Sequence, residues 1–382
     1  MKYLQPLFQQ DLFLATGRQM PFTLLLTVLY MKKTGTQPHF EVIFRDKSVS
    51  LWFIYMSMRK ILILLLTVIQ LSACNKTTRS TPKEVKTVNI PEFSADSAYA
   101  YTQKQVDFGP RVPNTAAHDA CATYLSTELK RLGAVVIEQK ADLTAFDGTV
   151  LKSVNIIGSF NTKAETRILL FSHWDSRPWA DHDPKPENHK KPVMAANDGA
   201  SGVGVLLEMA RLIGKGQPTV GVDIIFFDTE DYGAPESFKS KNTEDSWCLG
   251  TQYWAKNPHV PGYTARFGIL LDMVGGKQAT FYKEQASEYY AGSVVNTVWS
   301  QAKSLGFGQY FIDQKGGAIT DDHIYVNQLI GIPSIDIIQY DPNSKSGFGF
   351  YWHTTEDVMA NVDKNTLKAV GTTLMHVVYN EK

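Results

Sequence analysis

The stretch VDIIFFDTEDYG, Val222 to Gly233, places carboxylates directly after an apolar run. The run is short, β-branched and aromatic, which is typical of a buried strand. Acidic groups crowded at the end of such a strand repel one another and are costly to remove from water. A bound cation, a transferable proton or exposure to water could compensate for them.

Strand-like and helix-like segments alternate around this run. Further apolar runs predict strands at SVNIIGSF (153–160), ETRILLFSH (165–173), ARFGILLDM (265–273) and IPSIDIIQ (332–339). Amphipathic stretches predict helices over 93–108, 116–133, 197–214, 293–306 and 364–380. The alternation predicts an α/β fold: a single domain with a central, mainly parallel sheet flanked by helices on both faces.

The composition limits the classes of function. The chain has 382 residues with equal numbers of basic and acidic side chains, so its charge gives no reason to expect a nucleic-acid partner. Hydrophobic residues make up 43% and charged residues 20%, which is ordinary for a globular protein.

The segment MRKILILLLTVIQLSAC, Met58 to Cys74, has the form of an export signal. Two cations precede an apolar run that is too short to span a bilayer comfortably, and LSAC resembles the bacterial lipobox. We therefore expect Cys74 to be lipidated and the protein to sit on the periplasmic face of a membrane. A transmembrane anchor with an incidental cysteine is the alternative.

The signal divides the chain. Residues 1–57 show no consistent period and are expected to lie upstream of the true start, whereas the polar residues 75–88 suit a tether. Residues 89–382 then form the catalytic domain, which we expect to be a monomer. Cys121 and Cys248 could pair in an exported protein or remain free and buried.

Polar residues at the ends of the predicted strands point to a site. In parallel sheets, sites form at the carboxyl ends of the strands. The candidates are His173 and Asp175 after one strand, Asp228, Glu230 and Asp231 after another, Asp272 after a third, and Asp198 at the start of a helix. Alone, Asp198 would be read as a helix cap and His173 as a core histidine; their coincidence favours a common site.

Taken in order, these motifs resemble the M28 zinc peptidase superfamily. HWDSRPWAD, ANDGASGVGVLLE, FFDTEDYG, LLDMVG, TDDHIY and WHTTEDV together look like its glutaminyl-peptide cyclotransferase branch. The resemblance spans about residue 89 to the C-terminus and is specific as an ordered set.

The resemblance implies a catalytic zinc and a proton-transfer group. It makes Asp198, Asp231 and His353 the ligands of one zinc with an open fourth position. It makes Glu230 the general acid/base, and Trp352 the tryptophan that contacts substrate. Asp228 is expected to be structural.

Further residues distinguish the branches. In the two-metal aminopeptidases of the superfamily, the counterparts of His173 and Asp272 bind a second zinc. In the cyclotransferases one zinc is generally held, and Asp272 joins a hydrogen-bond relay with Glu230 and Asp321. Asp175 is expected to orient His173. Since the ligand set for a second zinc is complete, the sequence leaves the metal count open.

Three other residues keep open roles. Asp336 occupies a position where animal members of the branch carry a histidine, and we leave it outside the predicted site. Trp179 and Trp247 either wall the pocket or pack elsewhere.

The resemblance implies that the protein cyclises the N-terminal Gln of peptides or proteins to pyroglutamate and releases ammonia. Two alternatives remain: a two-zinc aminopeptidase, and a surface lipoprotein that keeps the fold as a non-catalytic binding module. The second is disfavoured because neither a ligand nor the base is missing.

Overall fold

A six-stranded sheet forms the centre of the molecule. The computed structural model describes residues 89–382 except 236, 239–242 and 244. The sheet strands are β1 (Val135–Thr144), β2 (Val150–Phe160), β3 (Arg167–His173), β4 (Gly221–Phe227), β5 (Gly268–Asp272) and β8 (Ser334–Ile338). A separate two-stranded sheet pairs β6 (Phe281–Lys283) with β7 (Phe311–Lys315).

The strand order is β1-β2-β4-β3-β5-β8. Strands β4, β3, β5 and β8 pair in parallel, as predicted, whereas the β1–β2 hairpin joins β4 in antiparallel fashion. The sheet is therefore mixed, and its parallel part carries the predicted site.

Helices precede, connect and follow the strands. They are α1 (Ala95–Val106), α2 (Ala116–Arg131), α3 (Ala200–Lys215), α4 (Leu249–Lys256), α5 (Gln285–Ser304), α6 (Asp322–Tyr325) and α7 (Lys364–Asn380). Ser94, Thr115 and Asp363 cap α1, α2 and α7 by accepting hydrogen bonds from backbone N–H groups. Among the described residues, no helix has both the length and the apolarity to cross a membrane.

The two faces of the sheet bury different side chains, because successive residues of a strand point to opposite sides. On β4, Ile224 and Phe226 join a cluster with residues of α1, α3, α5 and α7. Ile225 and Phe227 join a second cluster, which contains Trp254 of α4. Helices therefore cover both faces, which confirms that prediction.

The parallel strands end at one edge, and the chain turns sharply there. Thr229, just after β4, has a φ of 55°, and Met273, just after β5, has a φ of 49°. Such left-handed conformations are uncommon for residues with a side chain and often mark functional sites. The turns bring the residues that follow β4 and β5 to the same edge.

Two sets of sequence predictions have different outcomes. Cys121 and Cys248 are both free and buried, so they do not pair. The predictions for residues 1–57, the signal peptide 58–74 with Cys74, and the tether 75–88 lie outside the described residues.

Candidate metal centre

The three predicted zinc ligands lie together in a buried position. Asp198, Asp231 and His353 each place a ligand atom within 4.8 Å of the others. Nε2 of His353 is 3.3 Å from Oδ1 of Asp231 and 3.6 Å from Oδ2 of Asp198. We call these three residues the primary group. No hydrogen bond links His353 to either carboxylate among the residues described, so the space between them suits an ion.

The chemistry of the primary group fits a cation. Oδ2 of Asp231 is buried and has no hydrogen-bond partner in the part of the chain that the structure describes. Burial raises the pKa of Asp231 to about 7, which a nearby cation would reverse. Burial and the neighbouring Arg177 hold the pKa of His353 well below its usual value, so its imidazole is neutral and can donate a lone pair. Two carboxylates and one neutral imidazole are a suitable set for zinc.

A second group shares Asp198 with the first. Nε2 of His173 lies 3.0 Å from Oδ1 of Asp198 and 3.2 Å from Oδ1 of Asp272. Although burial alone lowers the pKa of His173, the neighbouring carboxylates of Asp175, Asp198 and Asp272 raise it well above its usual value. We call His173, Asp198 and Asp272 the secondary group. Its members are those implied for a second zinc, but here His173 hydrogen-bonds to both carboxylates.

Two buried carboxylates hold the backbone that carries the primary group. Asp175 accepts hydrogen bonds from the backbone N–H groups of Glu230 and Asp231, both at 3.1 Å. It also lies 3.5 Å from Nδ1 of His173, so it contacts His173 as expected and fixes the β4 segment as well. Asp357 accepts from the N–H groups of Asn197 and Asp198, at 2.7 and 3.0 Å.

Gly199, which caps α3, has to be a glycine. Its φ is 91°, a conformation that side chains disfavour. A Cβ there would lie 2.8 Å from Cε1 of His173. The glycine after Asp198 therefore lets the helix start approach the imidazole of the secondary group.

Arg177 contacts Asp231 of the primary group and two neighbouring aromatic rings. It is 1% exposed, and its Nε and Nη2 donate to the two carboxylate oxygens of Asp181 at 2.6 and 2.7 Å. Its Nη1 donates to Oδ1 of Asp231 at 3.2 Å. The guanidinium also lies 4.7 Å from the ring of Trp247 and 5.4 Å from that of Trp179. It therefore links a ligand carboxylate to an aromatic wall.

Glu230 has the environment of a group that transfers protons. It is 8% exposed, and the thiol of Cys248 donates to its Oε1 at 3.3 Å. Burial, together with the charges of Asp321 and Asp231, raises its pKa well above the usual value. A carboxyl group whose pKa is raised in this way is better able to accept a proton and to return it.

Asp321, the other predicted relay acid, places a ligand-type atom within 4.8 Å of those of Glu230 and Cys248. It caps α6 by accepting from the N–H of Asp322 at 2.6 Å. Burial and the charge of Asp272 raise its pKa well above the usual value. Glu230, Asp272 and Asp321, the three acids predicted to form the relay, are therefore all buried and close enough to affect one another's charge.

Two further buried acids, Asp228 and Asp336, have different surroundings from one another. Asp228 lies 2.9 Å from Nε2 of His118 and accepts from the N–H of Val154 at 2.6 Å, in keeping with the expected structural role. Asp336 is fully buried on β8, and its carboxylate has no hydrogen-bond partner within the described ranges. Oδ2 of Asp336 lies 3.9 Å from Nδ1 of His323, a described side chain that could carry the opposite charge.

A cavity of about 540 Å³ opens onto both metal groups. We call it the reaction cleft; its lining includes Asp198, Glu230, Asp272, Asp321, His353, Trp247 and Trp352. Trp352 stacks on His353 with ring centroids 3.9 Å apart. Trp247 therefore walls the cleft, whereas Trp179 packs against Tyr232 at 5.2 Å and does not line it.

Sequence reasoning missed the roles of Arg177, Cys248 and Asp357. Arg177 and Asp357 lie within the quoted motifs SRPWAD and WHTTEDV, so a signal was present, but their partners are distant in the chain. Nothing in the local sequence marks Cys248 as a neighbour of Glu230.

A mixed α/β sheet with helices on both faces, and with acids and histidines converging at the ends of its parallel strands, defines a zinc aminopeptidase-like protein. The sequence pattern described as "Peptidase family M28" matches residues 155–378, more than half of the chain. The protein belongs to this family.

Solved structures resemble the described fold closely. A Zn-dependent exopeptidase from Parabacteroides distasonis is 62% identical, with a TM-score of 0.76, and the match covers 77% of this chain and 100% of that one. Glutaminyl cyclase from Bacteroides thetaiotaomicron, bound to N-acetylhistamine, is 57% identical, with the same TM-score and the same coverage.

Curated relatives are more distant. Aminopeptidase YwaD of Bacillus subtilis is 25% identical over 77% of this chain, and the match spans 59% of that protein's length. The glutaminyl-peptide cyclotransferase of Bos taurus is 24% identical over 67% of this chain and 74% of its own length.

Proposed function

We propose that the protein is a zinc-dependent glutaminyl-peptide cyclotransferase. The observation that carries the proposal is the placement of Glu230, a proton-transfer group, beside one open set of ligands in the reaction cleft. Similarity to a bacterial glutaminyl cyclase at 57% identity supports it. The substrates are peptides or proteins that begin with Gln.

The reaction joins two parts of one residue. The α-amine of the N-terminal Gln attacks its own γ-amide carbon, a ring C–N bond forms, and the amide nitrogen leaves as ammonia. Glu230 removes a proton from the amine and returns it to the departing nitrogen. Zinc bound by Asp198, Asp231 and His353 would supply a Lewis acid for the γ-carbonyl.

The remaining residues position the substrate and the base. Trp352 and Trp247 wall the cleft and can hold the Gln side chain in the curled form that brings its ends together. Burial and the charges of Asp321 and Asp231 keep the proton affinity of Glu230 high, and the charge of Asp272 raises the pKa of Asp321 in turn.

The direct test is mass spectrometry of a Gln-initiated peptide after incubation with the zinc-loaded protein. Loss of one ammonia from an otherwise intact chain is expected. Release of free Gln would instead indicate hydrolysis.

A two-zinc aminopeptidase is the second candidate, because the secondary group is complete and shares Asp198 with the primary group. It would use the same residues with an activated water. An aminoacyl anilide assayed beside the Gln peptide separates the two functions, since only an aminopeptidase releases the aniline.

For location, we propose that Cys74 carries a lipid and tethers the protein to the periplasmic face of a membrane. The charged start, the short apolar run and LSAC support this. The intact mass of the native protein tests it; an unmodified Cys74, or an N-terminus upstream of Met58, would contradict it.

A further inference from the structure

A second cavity adjoins the reaction cleft. It has a volume of about 680 Å³ and shares six lining residues with the cleft. These are Tyr340, Ser344, Lys345, Ser346, Phe348 and Trp352. We call this cavity the side groove. A chain whose first residue occupies the cleft has the side groove directly beside it.

The side groove has an excess of positive charge. Lys277 and Lys345 line it, both are exposed, and neither forms an ion pair with any described residue. Among the described residues that line it, Asp341 is the only acid. The remaining lining is polar or aromatic, as in a surface that holds an extended peptide.

A third cavity adjoins the side groove on the surface of the protein. It has a volume of about 870 Å³ and shares Lys277, Gln278 and Phe350 with the side groove. Phe350 is 73% exposed, an unusual state for a large apolar side chain. In this third cavity Lys364 is already paired with Asp96 at 2.7 Å, whereas Lys277 lies where the third cavity meets the side groove.

We propose that the side groove binds the residues that follow the N-terminal Gln and favours an acidic residue among the first few of them. The inference rests on the proposed function, since it assigns a place to the rest of the same substrate. An extended chain advances about 3.3–3.6 Å per residue, so positions two to four are the ones to examine.

The test uses amidated tetrapeptides based on Gln-Gly-Gly-Gly, with a single Asp or a single Lys at position two, three or four. Amidation removes the terminal carboxylate, which would otherwise add a negative charge to every peptide. At low salt, kcat/KM for the Asp peptide should exceed that for the Lys peptide by about three- to fivefold at one or more positions. The ratio should shrink as salt screens the charges.

Charge reversal then locates the preference. In the double variant Lys277→Glu/Lys345→Glu the ratio should invert. Lys163→Glu is the matched control, because Lys163 is an exposed lysine in the loop before β3, at the opposite edge of the sheet, and should leave the ratio unchanged.

The outcomes separate the two claims. Cyclisation with an Asp/Lys ratio near one in the wild type, or with a ratio that the double variant leaves unchanged, would overturn the side-groove inference alone. Absence of ammonia release from every peptide would overturn the proposed function and this inference with it.

Discussion

The primary and secondary groups contain the same residue types and share Asp198, yet their geometry differs. In the primary group the imidazole of His353 stands 3.3 and 3.6 Å from the carboxylates without a hydrogen bond. In the secondary group His173 hydrogen-bonds to both carboxylates, at 3.0 and 3.2 Å. The negative charge of two carboxylates can thus be compensated by a protonated histidine that bonds to both, or by a metal ion that they bind together with a neutral histidine.

The electrostatics follow the same division. The pKa of His353 lies well below its usual value and that of His173 well above it. The imidazole of His173 therefore favours its charged form, and that of His353 favours its neutral form. This difference can be tested residue by residue.

The largest effect is expected when the primary group is broken. Asp231→Ala or His353→Ala should lose zinc and activity together, because three ligands leave little redundancy. Asp272→Asn and His173→Ala should retain one zinc per chain. Metal analysis after dialysis checks this. Two equally tight zincs in the wild type, with one lost in His173→Ala, would place a metal in both groups.

The next effect separates zinc binding from proton transfer. Glu230→Gln should keep zinc and fold but lower kcat by about 10²–10⁴-fold, because an amide cannot shuttle a proton. Glu165→Gln, at an exposed site before β3, is the control. A Glu230→Gln enzyme with near wild-type kcat would remove Glu230 from the chemistry.

Arg177 tests whether the primary group depends on its surroundings. Arg177→Lys keeps a positive charge but loses the planar fork that bridges Asp181 and Asp231. Zinc affinity should fall by about 10- to 100-fold, the range seen when a residue that supports a ligand is changed.

Competition with a chelator measures that affinity without an activity assay. Arg211→Lys is the matched control, since Arg211 makes a similar two-pronged contact with Glu208 at 2.6 Å, away from the reaction cleft. Equal zinc affinities in both variants would show that the contact with Asp231 has no effect on the metal.

A smaller effect concerns pH. Glu230 must be ionised to take a proton, so kcat/KM should rise with pH through its raised pKa. The charge of Asp321 is one cause of that increase in pKa. Asp321→Asn should therefore move the acid limb of the pH profile to lower pH while zinc is retained. A shift to higher pH would contradict this electrostatic role.

Much of the fold could be predicted because its signals are local. The closing helix has the predicted bounds, Lys364–Asn380, and the buried strands form uninterrupted apolar runs. Strand β1 was missed because it is an edge strand with six of its ten residues exposed, so no such run marks it. Helix α5 begins at Gln285, eight positions before its predicted start, because its first turns are polar and a kink at Ala291 interrupts the pattern.

The site was partly predictable for a different reason. Parallel strands end at one edge, so the acids after β4 and β5 could be expected to meet. The partners of those acids could not, because the contacts of Arg177 with Asp231 and of Asp357 with Asp198 depend on how distant loops pack.

Asp336, whose role the sequence left open, gives the smallest expected effect, and it extends the comparison to an acid that neither group contains. Burial, with the charges of Asp321 and Asp272, raises its pKa well above the usual value of about 3.9. The contribution of Asp336 to stability is therefore full below the unfolded-state pKa and is lost as the pH rises through the folded-state pKa.

Asp336→Asn removes that loss without removing a hydrogen bond, since neither carboxylate oxygen has a partner among the described residues. The variant should melt about 2 °C higher than the wild type at about pH 8, and the gain should be smaller at about pH 5. Thermal unfolding of both proteins with zinc bound measures the difference. A variant that melts lower at about pH 8 would mean that the ionised carboxylate is stabilised in the fold, with His323 the nearest candidate partner.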